Sequence, residues 1–360
     1  TNTNPSHTYT TAGNYTVQLT ATNSYGTDST SGTIEFYPEA HFTPTNILIH
    51  LGDPITFSNQ TTGSTPITYN WDFGDGTSTS AVSPTHTYTT AGTYTVKLTA
   101  TNSHGSSEAT TTVNFSPVAD FTPTDSLILL GEPISFTNHS TGTSELTYTW
   151  NFGDGTTSHD ANPTHIYAVS GSYTISLTVD NDYGTDTATG TVNFLPQAGF
   201  TPADSVIQTG DAISFSNTSS GSTPLTYAWN FGDGSATSSD TNPSHTFTTA
   251  GSYTVSLKVE NSWGSSTTTG TVNFKPRAIF SPSHSEIAPG DTVHFTNSST
   301  GNDTLSYSWD FGDGSPSSTD ANPSHTYASA GNYTVSLTVT NSLGSDAATG
   351  SVNFAPIAAF

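Results

Sequence analysis

The sequence contains no cysteine. The chain therefore has no disulfide to staple its fold and no thiolate to bind a metal or act as a nucleophile. Long apolar runs are absent as well, since no stretch of about 18 consecutive apolar residues could cross a membrane as a helix. The cellular compartment cannot be read from cysteine usage in such a chain.

Basic residues are scarce. Four cations, Lys97, Lys258, Lys275 and Arg277, stand against 28 acidic side chains, and the formal net charge is −24. So few cations cannot form a phosphate-binding surface, which argues against nucleic acid and against an anionic membrane surface as partners. Charged residues make up only 9% of the chain, so its polar surface must come mainly from Thr, Ser and Asn. Such surfaces are common on secreted and cell-surface β proteins.

An internal repeat dominates the sequence. Tryptophan recurs 79 or 80 residues apart within the pattern W-(D/N)-F-G-D-G. Three further patterns recur with it: P-(S/T)-H-x-(Y/F), G-x-Y-T-(V/I)-x-L and, where one repeat meets the next, F-x-P-x-A-x-F. The marker residues are Trp71, Trp150, Trp229 and Trp309; His7, His86, His165, His245 and His325; and Pro38, Pro117, Pro196, Pro276 and Pro356.

These patterns divide the chain into one partial repeat, four whole repeats and the start of another. The frame is 1–37 for the C-terminal half of a repeat, 38–116, 117–195, 196–275 and 276–355 for whole repeats, and 356–360 for a further first strand. The segment equivalent to 43–79 is missing at both ends. We therefore expect a window on a longer repetitive polypeptide, or a half repeat completed by strands of another copy.

Within a repeat, apolar residues alternate with polar ones, which is the period of a β-strand. Tyr94, Val96 and Leu98 alternate with Thr95 and Lys97, and turn-forming residues separate such segments. About seven short strands per repeat, with a tryptophan on a central strand, predict an all-β tandem array of immunoglobulin-like sandwiches. The predicted structural core is formed around Trp71, Trp150, Trp229 and Trp309, each buried between two sheets.

The patterns W-D-F-G-D-G, P-x-H-x-Y and G-x-Y-x-V-x-L together resemble the PKD (polycystic kidney disease) domain, an immunoglobulin-like module. The resemblance covers essentially the whole chain. It implies an extracellular module that serves in surface layers, in adhesins and as a spacer in secreted hydrolases, and it implies no catalytic residues. Tandem arrays as rich in threonine and as poor in lysine as this one resemble archaeal, methanogen-type, or bacterial surface proteins.

The loop after each tryptophan carries the clearest candidates for chemistry. Its tripeptide Asp72-Phe73-Gly74 matches a kinase metal-binding motif, but it recurs without a catalytic loop or a strand lysine. The first acidic position alternates between Asp and Asn, which favours a side chain that caps a turn over a charged metal ligand. The second position is always aspartate. Calcium is the single cofactor considered. Its candidate ligands are therefore Asp75, Asp154, Asp233 and Asp313.

The recurrent histidine, such as His86 beside Tyr88, could serve in catalysis or as a pH switch because imidazole titrates near neutrality. No nucleophile or paired carboxylate recurs at matching spacing, so the sequence favours a half-buried, hydrogen-bonded histidine and predicts no enzyme.

A second in-register set is N-x-(S/T), the acceptor tripeptide for N-glycans on secreted proteins. The candidate glycosylation sites are Asn59, Asn138, Asn217 and Asn297.

The connection between repeats has no glycine- or serine-rich spacer. Over residues 115–121 the last strand of one repeat runs through Pro117 into the first strand of the next, and proline fixes φ. We expect a stiff rod to which each repeat adds roughly 35–40 Å. Large side chains at the tip of the last hairpin are unusual unless they are covered. Inter-repeat contacts are therefore predicted for Tyr183, Trp263 and Leu343; the alternative is a tip folded onto its own repeat.

The expected function is that of a non-catalytic extracellular structural protein at the cell surface, forming a stalk, sheath, surface layer or filament. Its expected partners are neighbouring copies of the same protein, with adhesive contacts and glycans as further options. The alternative is an accessory spacer or polysaccharide-binding region of a secreted hydrolase. Exposed rows of aromatic residues on one sandwich face would favour that alternative, but most aromatic residues fall at core-facing positions.

Overall fold

The computed structural model describes residues 2–355, and the further first strand predicted at 356–360 lies outside the described residues. The described chain is all-β. Residues 2–355 contain no helix, and hence none with the length and apolar character of a membrane span. The described residues fall into two compact units. The second contains 127–132, 167–172 and the chain from 193 onward, and the first contains the remainder.

Each whole repeat has a smaller sheet, in which the first strand of the repeat and the strand with the recurrent histidine flank a third strand. In the repeat 38–116 these are Phe42–Pro44, Thr85–Thr87 and Pro54–Asn59, all antiparallel neighbours. The other first strands are Phe121–Thr122, Phe200–Thr201 and Phe280–Pro282, and the other histidine strands are Thr164–Ile166, Ser244–Thr246 and Ser324–Thr326. The other continuous third strand is Thr292–Asn297. In the repeats 117–195 and 196–275 the third strand is divided into Pro133–Ser135 and Thr137–Asn138, and into Ala212–Ser214 and Ser216–Asn217; the first half pairs with the histidine strand and the second half with the first strand.

The larger sheet contains the tryptophan strand, a long hairpin and a short strand that joins the hairpin in parallel. The tryptophan strands are Thr68–Asp72, Thr147–Asn151, Thr226–Asn230 and Ser306–Asp310. The parallel strands are Leu48–Ile49, Asp125–Ile128, Asp204–Ile207 and Glu286–Ile287. The short edge strands Ser78–Thr79 and Thr157–Ser158 complete this sheet in two repeats.

The long hairpin is the most regular element because its sequence alternates throughout. Its strands are Tyr15–Asn23 and Gly26–Ile34, Tyr94–Asn102 and Gly105–Phe115, Tyr173–Asn181 and Gly184–Phe194, Tyr253–Asn261 and Gly264–Phe274, and Asn332–Asn341 and Gly344–Phe354. Val96 and Leu98 are fully buried, whereas Thr95, on the other face of the same strand, is exposed. β-branched Thr and Val fit such a pleated, half-buried surface, so propensity and burial agree.

The core of each repeat is built around its tryptophan. Trp71 is fully buried, and its ring lies 4.9 Å from that of Phe42 and 5.7 Å from that of Phe57, both on the smaller sheet. Its indole nitrogen donates to the carbonyl oxygen of Ala81 at 2.9 Å. The single polar atom of the ring is thus satisfied inside the core, which a buried tryptophan requires. Trp150, Trp229 and Trp309 are equally buried.

In the partial repeat, the strands within residues 2–37 are those of the long hairpin. Val17 and Leu19 are 47% and 66% exposed, whereas their equivalents Val96 and Leu98 are fully buried. Both pairs occupy the same positions on the same hairpin strand. The burial of this face therefore depends on strands of the kind found in 43–79, rather than on the hairpin itself.

A glycine in the long hairpin of the repeat 196–275 allows the parallel strand to approach closely, and its replacement provides a test. A β-carbon at Gly270 would lie 1.8 Å from the carbonyl oxygen of Ala203, directly before the four-residue strand Asp204–Ile207. The equivalent in the repeat 38–116 is Thr111, and there the parallel strand has two residues. Gly270→Ala should destabilise its repeat by about 1–3 kcal/mol, since the backbone must move apart.

Gly350→Ala is the matched control for this change. A β-carbon at Gly350 would meet only the ring of Phe280, at 3.1 Å, which can turn aside. Urea denaturation combined with hydrogen exchange of the strand Asp204–Ile207 should show a large loss of protection for Gly270→Ala alone. Equal effects of the two substitutions would contradict the steric account.

Candidate functional site

The loop after each tryptophan is held by its first acidic or amide side chain. Asp72 Oδ1 accepts the backbone N–H of Gly74 at 2.9 Å. Gly74 has φ +83°, and a β-carbon there would stand 2.8 Å from the carbonyl oxygen of Thr95, so the turn requires glycine. The same cap is formed by Asn151, Asn230 and Asp310. Asp and Asn interchange because only the side-chain oxygen is used, as their alternation in the sequence predicts.

The second aspartate joins this loop to the recurrent histidine. Asp75 Oδ1 accepts hydrogen bonds from the backbone N–H and the hydroxyl of Thr77, at 2.9 and 2.6 Å. Its Oδ2 lies 2.7 Å from Nε2 of His86. The aspartate–histidine distance is 2.7 Å in every whole repeat: Asp75–His86, Asp154–His165, Asp233–His245 and Asp313–His325. The four pairs therefore bridge the two sheets in the same way.

The histidine ring is packed on the core rather than open to a substrate. The His86 side chain is 15% exposed, and its ring stacks on Phe73 at 4.1 Å with an interplanar angle of 4°. Tyr88 meets its edge at 4.6 Å. The phenol of Tyr88 donates to the carbonyl oxygen of Phe73 at 3.0 Å, and burial raises its pKa. This is the half-buried, hydrogen-bonded histidine that the sequence favours.

The four candidate calcium ligands have their oxygens committed. Asp75 uses both oxygens toward Thr77 and His86, and Asp154, Asp233 and Asp313 are engaged in the same way. Within residues 2–355 no three histidine, aspartate or glutamate side chains gather as a metal site. A calcium ion at these aspartates would have to displace the histidine and the hydroxyl group first.

The same hydrogen bonds predict acid sensitivity. Burial alone would raise the pKa of Asp233, but hydrogen bonds from Ser235 and His245 outweigh it and lower the pKa to about 2. The pKa of Asp313 is likewise about 2, from Ser315 and His325. A carboxylate whose folded pKa lies below its unfolded value contributes stability above the unfolded value, here 3.8, and loses it as the pH falls through the folded one.

We therefore expect the stability of these repeats to decline between about pH 4 and pH 2. Asp233→Asn should remove the part of this decline that belongs to its repeat, since the amide does not titrate. Urea denaturation as a function of pH measures the decline in stability of the wild type and of Asp233→Asn. An identical acid decline in the wild type and in Asp233→Asn would contradict the assignment.

Each candidate glycosylation site lies at the end of the third strand of its own repeat. Asn59 Oδ1 accepts the backbone N–H of Thr61 at 2.9 Å, two residues further along the chain. Asn138, Asn217 and Asn297 make the same local turn, and all four side chains are half-buried. The structure thus gives each a turn-forming role. Glycan attachment at these positions stays a prediction.

The hairpin tips predicted to contact the preceding repeat are partly covered. Tyr183, Trp263 and Leu343 are 36%, 39% and 36% exposed, whereas Tyr25, on the partial repeat, is 97% exposed. At Trp263 the neighbouring Gly264 lies close to the linker, since a β-carbon there would stand 3.2 Å from the side chain of Leu195. The tip therefore lies beside the linker. Direct packing of the three side chains on the preceding repeat stays a prediction.

Between the repeats the structure reveals a group that sequence reasoning missed. Residues 2–355 contain four junctions, called the first to the fourth, which follow Phe36, Phe115, Phe194 and Phe274. At the second, the buried hydroxyl of Thr143 accepts the backbone N–H of Phe115 at 2.6 Å and donates to the carbonyl oxygen of Gly92 at 2.9 Å. Ser64 and Ser222 repeat both bonds at the first and third junctions.

A recurrent asparagine completes this group, which we call the junction clasp. Asn181 Nδ2 donates to the carbonyl oxygens of Phe115 and Thr143, at 3.1 and 2.8 Å, while its Oδ1 accepts the backbone N–H of Tyr183. One side chain thus ties the preceding repeat, the following repeat and its hairpin turn. Asn102, Asn261 and Asn341 do the same at the other junctions. The signal for it in the sequence is the in-register Asn of N-(S/D)-x-G.

Comparison with known proteins gives matches to segments of much longer chains. The chain is 25% identical to human polycystin-1 over 367 residues, 94% of this chain and 8% of polycystin-1. It is 49% identical to the collagenase ColA of Bacillus cereus over 61 residues, 16% of this chain and 6% of ColA. The chain thus spans less than a tenth of the length of either relative. Among solved structures, the I-band fragment I67–I69 of titin matches with 17% identity and a TM-score of 0.32, over 66% of this chain and 99% of that fragment.

The family profile of the PKD domain matches the chain repeat by repeat. The matched residues are 1–37, 39–115, 114–196, 193–276 and 273–355. Together these matches cover nearly the whole chain, in the same order as the sandwiches described above. The chain therefore belongs to the PKD domain family and consists of tandem PKD domains.

Proposed function

We propose that this chain is a non-catalytic extracellular spacer, a segment of a surface stalk, sheath, layer or filament whose repeats set length and stiffness. The observation that carries the proposal is the junction clasp. A hydroxyl group that both accepts from one element of the preceding repeat and donates to another fixes orientation as well as distance, because hydrogen bonds are directional. Thr143 makes such a pair of bonds to Phe115 and Gly92.

The short linker supports the same proposal. The long hairpin ends at Phe115, and Val118 already exchanges hydrogen bonds with Thr141 of the next repeat, at 2.8 and 3.0 Å. Only two residues separate the last strand from this contact, and one of them is Pro117. A linker so short, with one φ fixed by proline, leaves little freedom between neighbouring repeats.

The hydrogen bonds of the recurrent polar residues support the non-catalytic part of the proposal. Each aspartate–histidine pair is hydrogen-bonded within its loop and its histidine is stacked on a core phenylalanine, which favours a structural role over proton transfer to a substrate. The net charge of −24 keeps such a surface soluble and resists nonspecific association. Specific contacts with neighbouring copies of the same protein, at the cell surface, are the partners we propose.

Small-angle X-ray scattering of the intact chain tests the spacer. At roughly 35–40 Å for each repeat, a straight array of this length should have a maximum dimension of roughly 160–180 Å. A compact globule of 360 residues would instead have a radius of gyration of about 21 Å. A measured radius near that compact value would overturn the proposal.

A second candidate function is an accessory region of a secreted hydrolase. The relatives favour it: besides ColA, the pre-pro-metalloprotease PrtV of Vibrio cholerae is 39% identical over 98 residues, 24% of this chain and 10% of PrtV. In this role the repeats would space a catalytic domain from a polysaccharide or hold the two together. Co-sedimentation with insoluble polysaccharides separates the candidates, since a pure spacer should remain in the supernatant.

A further inference from the structure

The fourth junction is joined differently from the other three. The position held by Ser64, Thr143 and Ser222 is occupied there by Asn302, which is 7% exposed. A carboxamide is larger than a hydroxyl group and cannot accept and donate through the same atom. The clasp of the first three junctions therefore cannot form in the same way at the fourth.

The hydrogen bonds of Asn302 show the consequence. Its backbone N–H donates to the carbonyl oxygen of Phe274 at 2.9 Å, and its Nδ2 donates to Oδ1 of Asn273 at 2.9 Å. Its own Oδ1 is buried and accepts no hydrogen bond from any of the residues 2–355. A buried acceptor without a donor is unfavourable. Asn302 thus reaches only the last strand of the preceding repeat.

The difference concerns the elements of the preceding repeat that the residue at the clasp position reaches. At the second junction, Thr143 is tied to the last strand through Phe115 and also to the loop before the long hairpin through Gly92. Two anchors on separate elements oppose rotation about either one. At the fourth junction the described chain has no bond from the clasp position to Gly251, the equivalent of Gly92.

A different contact stands beside the fourth junction. Arg277 Nη1 donates to the carbonyl oxygen of Thr209 at 2.6 Å, and Gln208 Nε2 donates to the carbonyl oxygen of Pro276 at 3.1 Å. The backbone of Arg277 already pairs with Thr300 of the following repeat, so its bond to Thr209 joins the two repeats. The Arg277 side chain is exposed to water, which weakens such a bond. A long, exposed side chain loses more rotamer freedom when it is ordered than a short one, so it fixes the orientation of two repeats less firmly than the buried hydroxyl group of Thr143.

We infer that the fourth junction is the pivot of this chain, the one place within residues 2–355 where neighbouring repeats change their relative orientation. The inference rests on the proposed function, since a pivot has meaning only between stiff segments. The residue at the clasp position decides the behaviour of each junction: a hydroxyl group there fixes the relative orientation of the two repeats, and Asn302 does not. Hinges of this kind are a few residues at the ends of elements.

Spin-label distance measurements on the intact chain test the pivot, because the sequence has no cysteine to interfere. Labels on introduced cysteines at Thr254 and Thr334 span the fourth junction, and labels at the equivalent Thr95 and Thr174 span the second. All four positions are exposed, and each lies on the first strand of the long hairpin in its own repeat. We expect a wider distance distribution across the fourth junction than across the second.

Substitutions at the clasp position should exchange the widths of the distance distributions across the fourth and second junctions. Asn302→Ser should narrow the distribution across the fourth junction to the width seen across the second, since serine is the residue at the first and third. Thr143→Asn should widen the second junction toward the width of the fourth. Circular dichroism and thermal unfolding establish that each variant is folded, and Thr143→Val, which lacks the hydroxyl group but keeps its shape, replaces Thr143→Asn if the latter does not fold.

The outcomes separate this inference from the spacer proposal. Narrow distributions across both junctions, or no narrowing by Asn302→Ser, would overturn the pivot and leave the stiff spacer intact. Wide distributions across both junctions would overturn the stiff spacer and the pivot together. A wide fourth and a narrow second junction, exchanged by the two substitutions, is the result we expect.

Discussion

Trp229→Ala is expected to destabilise the repeat 196–275 by about 3–5 kcal/mol, the usual cost of emptying a buried aromatic site. Trp229 is fully buried, with its ring 5.1 Å from Phe200 and 5.6 Å from Phe215, and its indole nitrogen donates to the carbonyl oxygen of Asp240. The substitution removes contacts with the smaller sheet and leaves that carbonyl without its donor. Urea denaturation, with hydrogen exchange to assign the unfolding repeat, measures the loss.

Tyr227→Ala is the matched control for this substitution. Tyr227 lies on the same strand two residues earlier and is only partly buried against the core. It should cost clearly less than Trp229→Ala. A loss of similar size for both, or a loss below about 1 kcal/mol for Trp229→Ala, would contradict the placement of the tryptophan as the centre of the core.

Asp233→Ala is expected to have the next largest effect, about 1.5–3 kcal/mol or more, because hydrogen bonds to a charged group are among the strongest. The carboxylate accepts from the backbone N–H and the hydroxyl of Ser235, at 3.1 and 2.5 Å, and lies 2.7 Å from His245. Its loss leaves the histidine, which is stacked on Phe231, without a partner on that side. The free energy of unfolding at pH 7 measures the effect.

Asn230→Ala is the control within the same loop. Asn230 makes one capping bond, to the backbone N–H of Gly232 at 2.9 Å, so its removal should cost about 1 kcal/mol. If Asp233→Ala cost no more than Asn230→Ala, the aspartate–histidine pair would not stabilise the loop. Because the pair recurs in every whole repeat, the same ranking should hold for Asp75 against Asp72.

The sequence alone predicts the sandwich because several of its signals agree. Alternation in segments such as 94–102 requires strands, the spacing of the tryptophans sets the repeat, and the Asp/Asn exchange at position 72 indicates a capped turn. The structure has each of these features: Val96 and Leu98 face the core and the side-chain oxygen of Asp72 closes the turn. These features depend on local periodicity and turn chemistry, which a single sequence displays directly.

The hydroxyl position of the junction clasp could not be predicted in the same way. Thr143 is one hydroxyl residue in a chain rich in serine and threonine, and nothing in its neighbours marks it as buried. Its partners are the backbone groups of Phe115 and Gly92, which every residue type possesses, so they leave no pattern in the sequence. The exchange to Asn302 acquires meaning only once those partners are known.

The parallel strand shows a second limit of the sequence. Gly190 and Gly270 allow the strands Asp125–Ile128 and Asp204–Ile207 to cross close to the long hairpin, whereas Thr111 occupies the equivalent position beside a shorter strand. An isolated glycine within a strand indicates either a bulge or a close approach of another backbone. Without the neighbouring strand in view, the two explanations could not be told apart.

Amide hydrogen exchange of Phe115 tests most directly whether the clasp joins the repeats. In the intact chain this N–H donates to Thr143 Oγ1, a side chain of the following repeat, so it should exchange slowly although it ends its strand. Thr143→Val should release it, while Thr147→Val, which alters an exposed hydroxyl group in the same repeat, should leave it protected. Rapid exchange of Phe115 in the wild-type chain, or equal protection in all three proteins, would contradict the clasp as the bond between repeats.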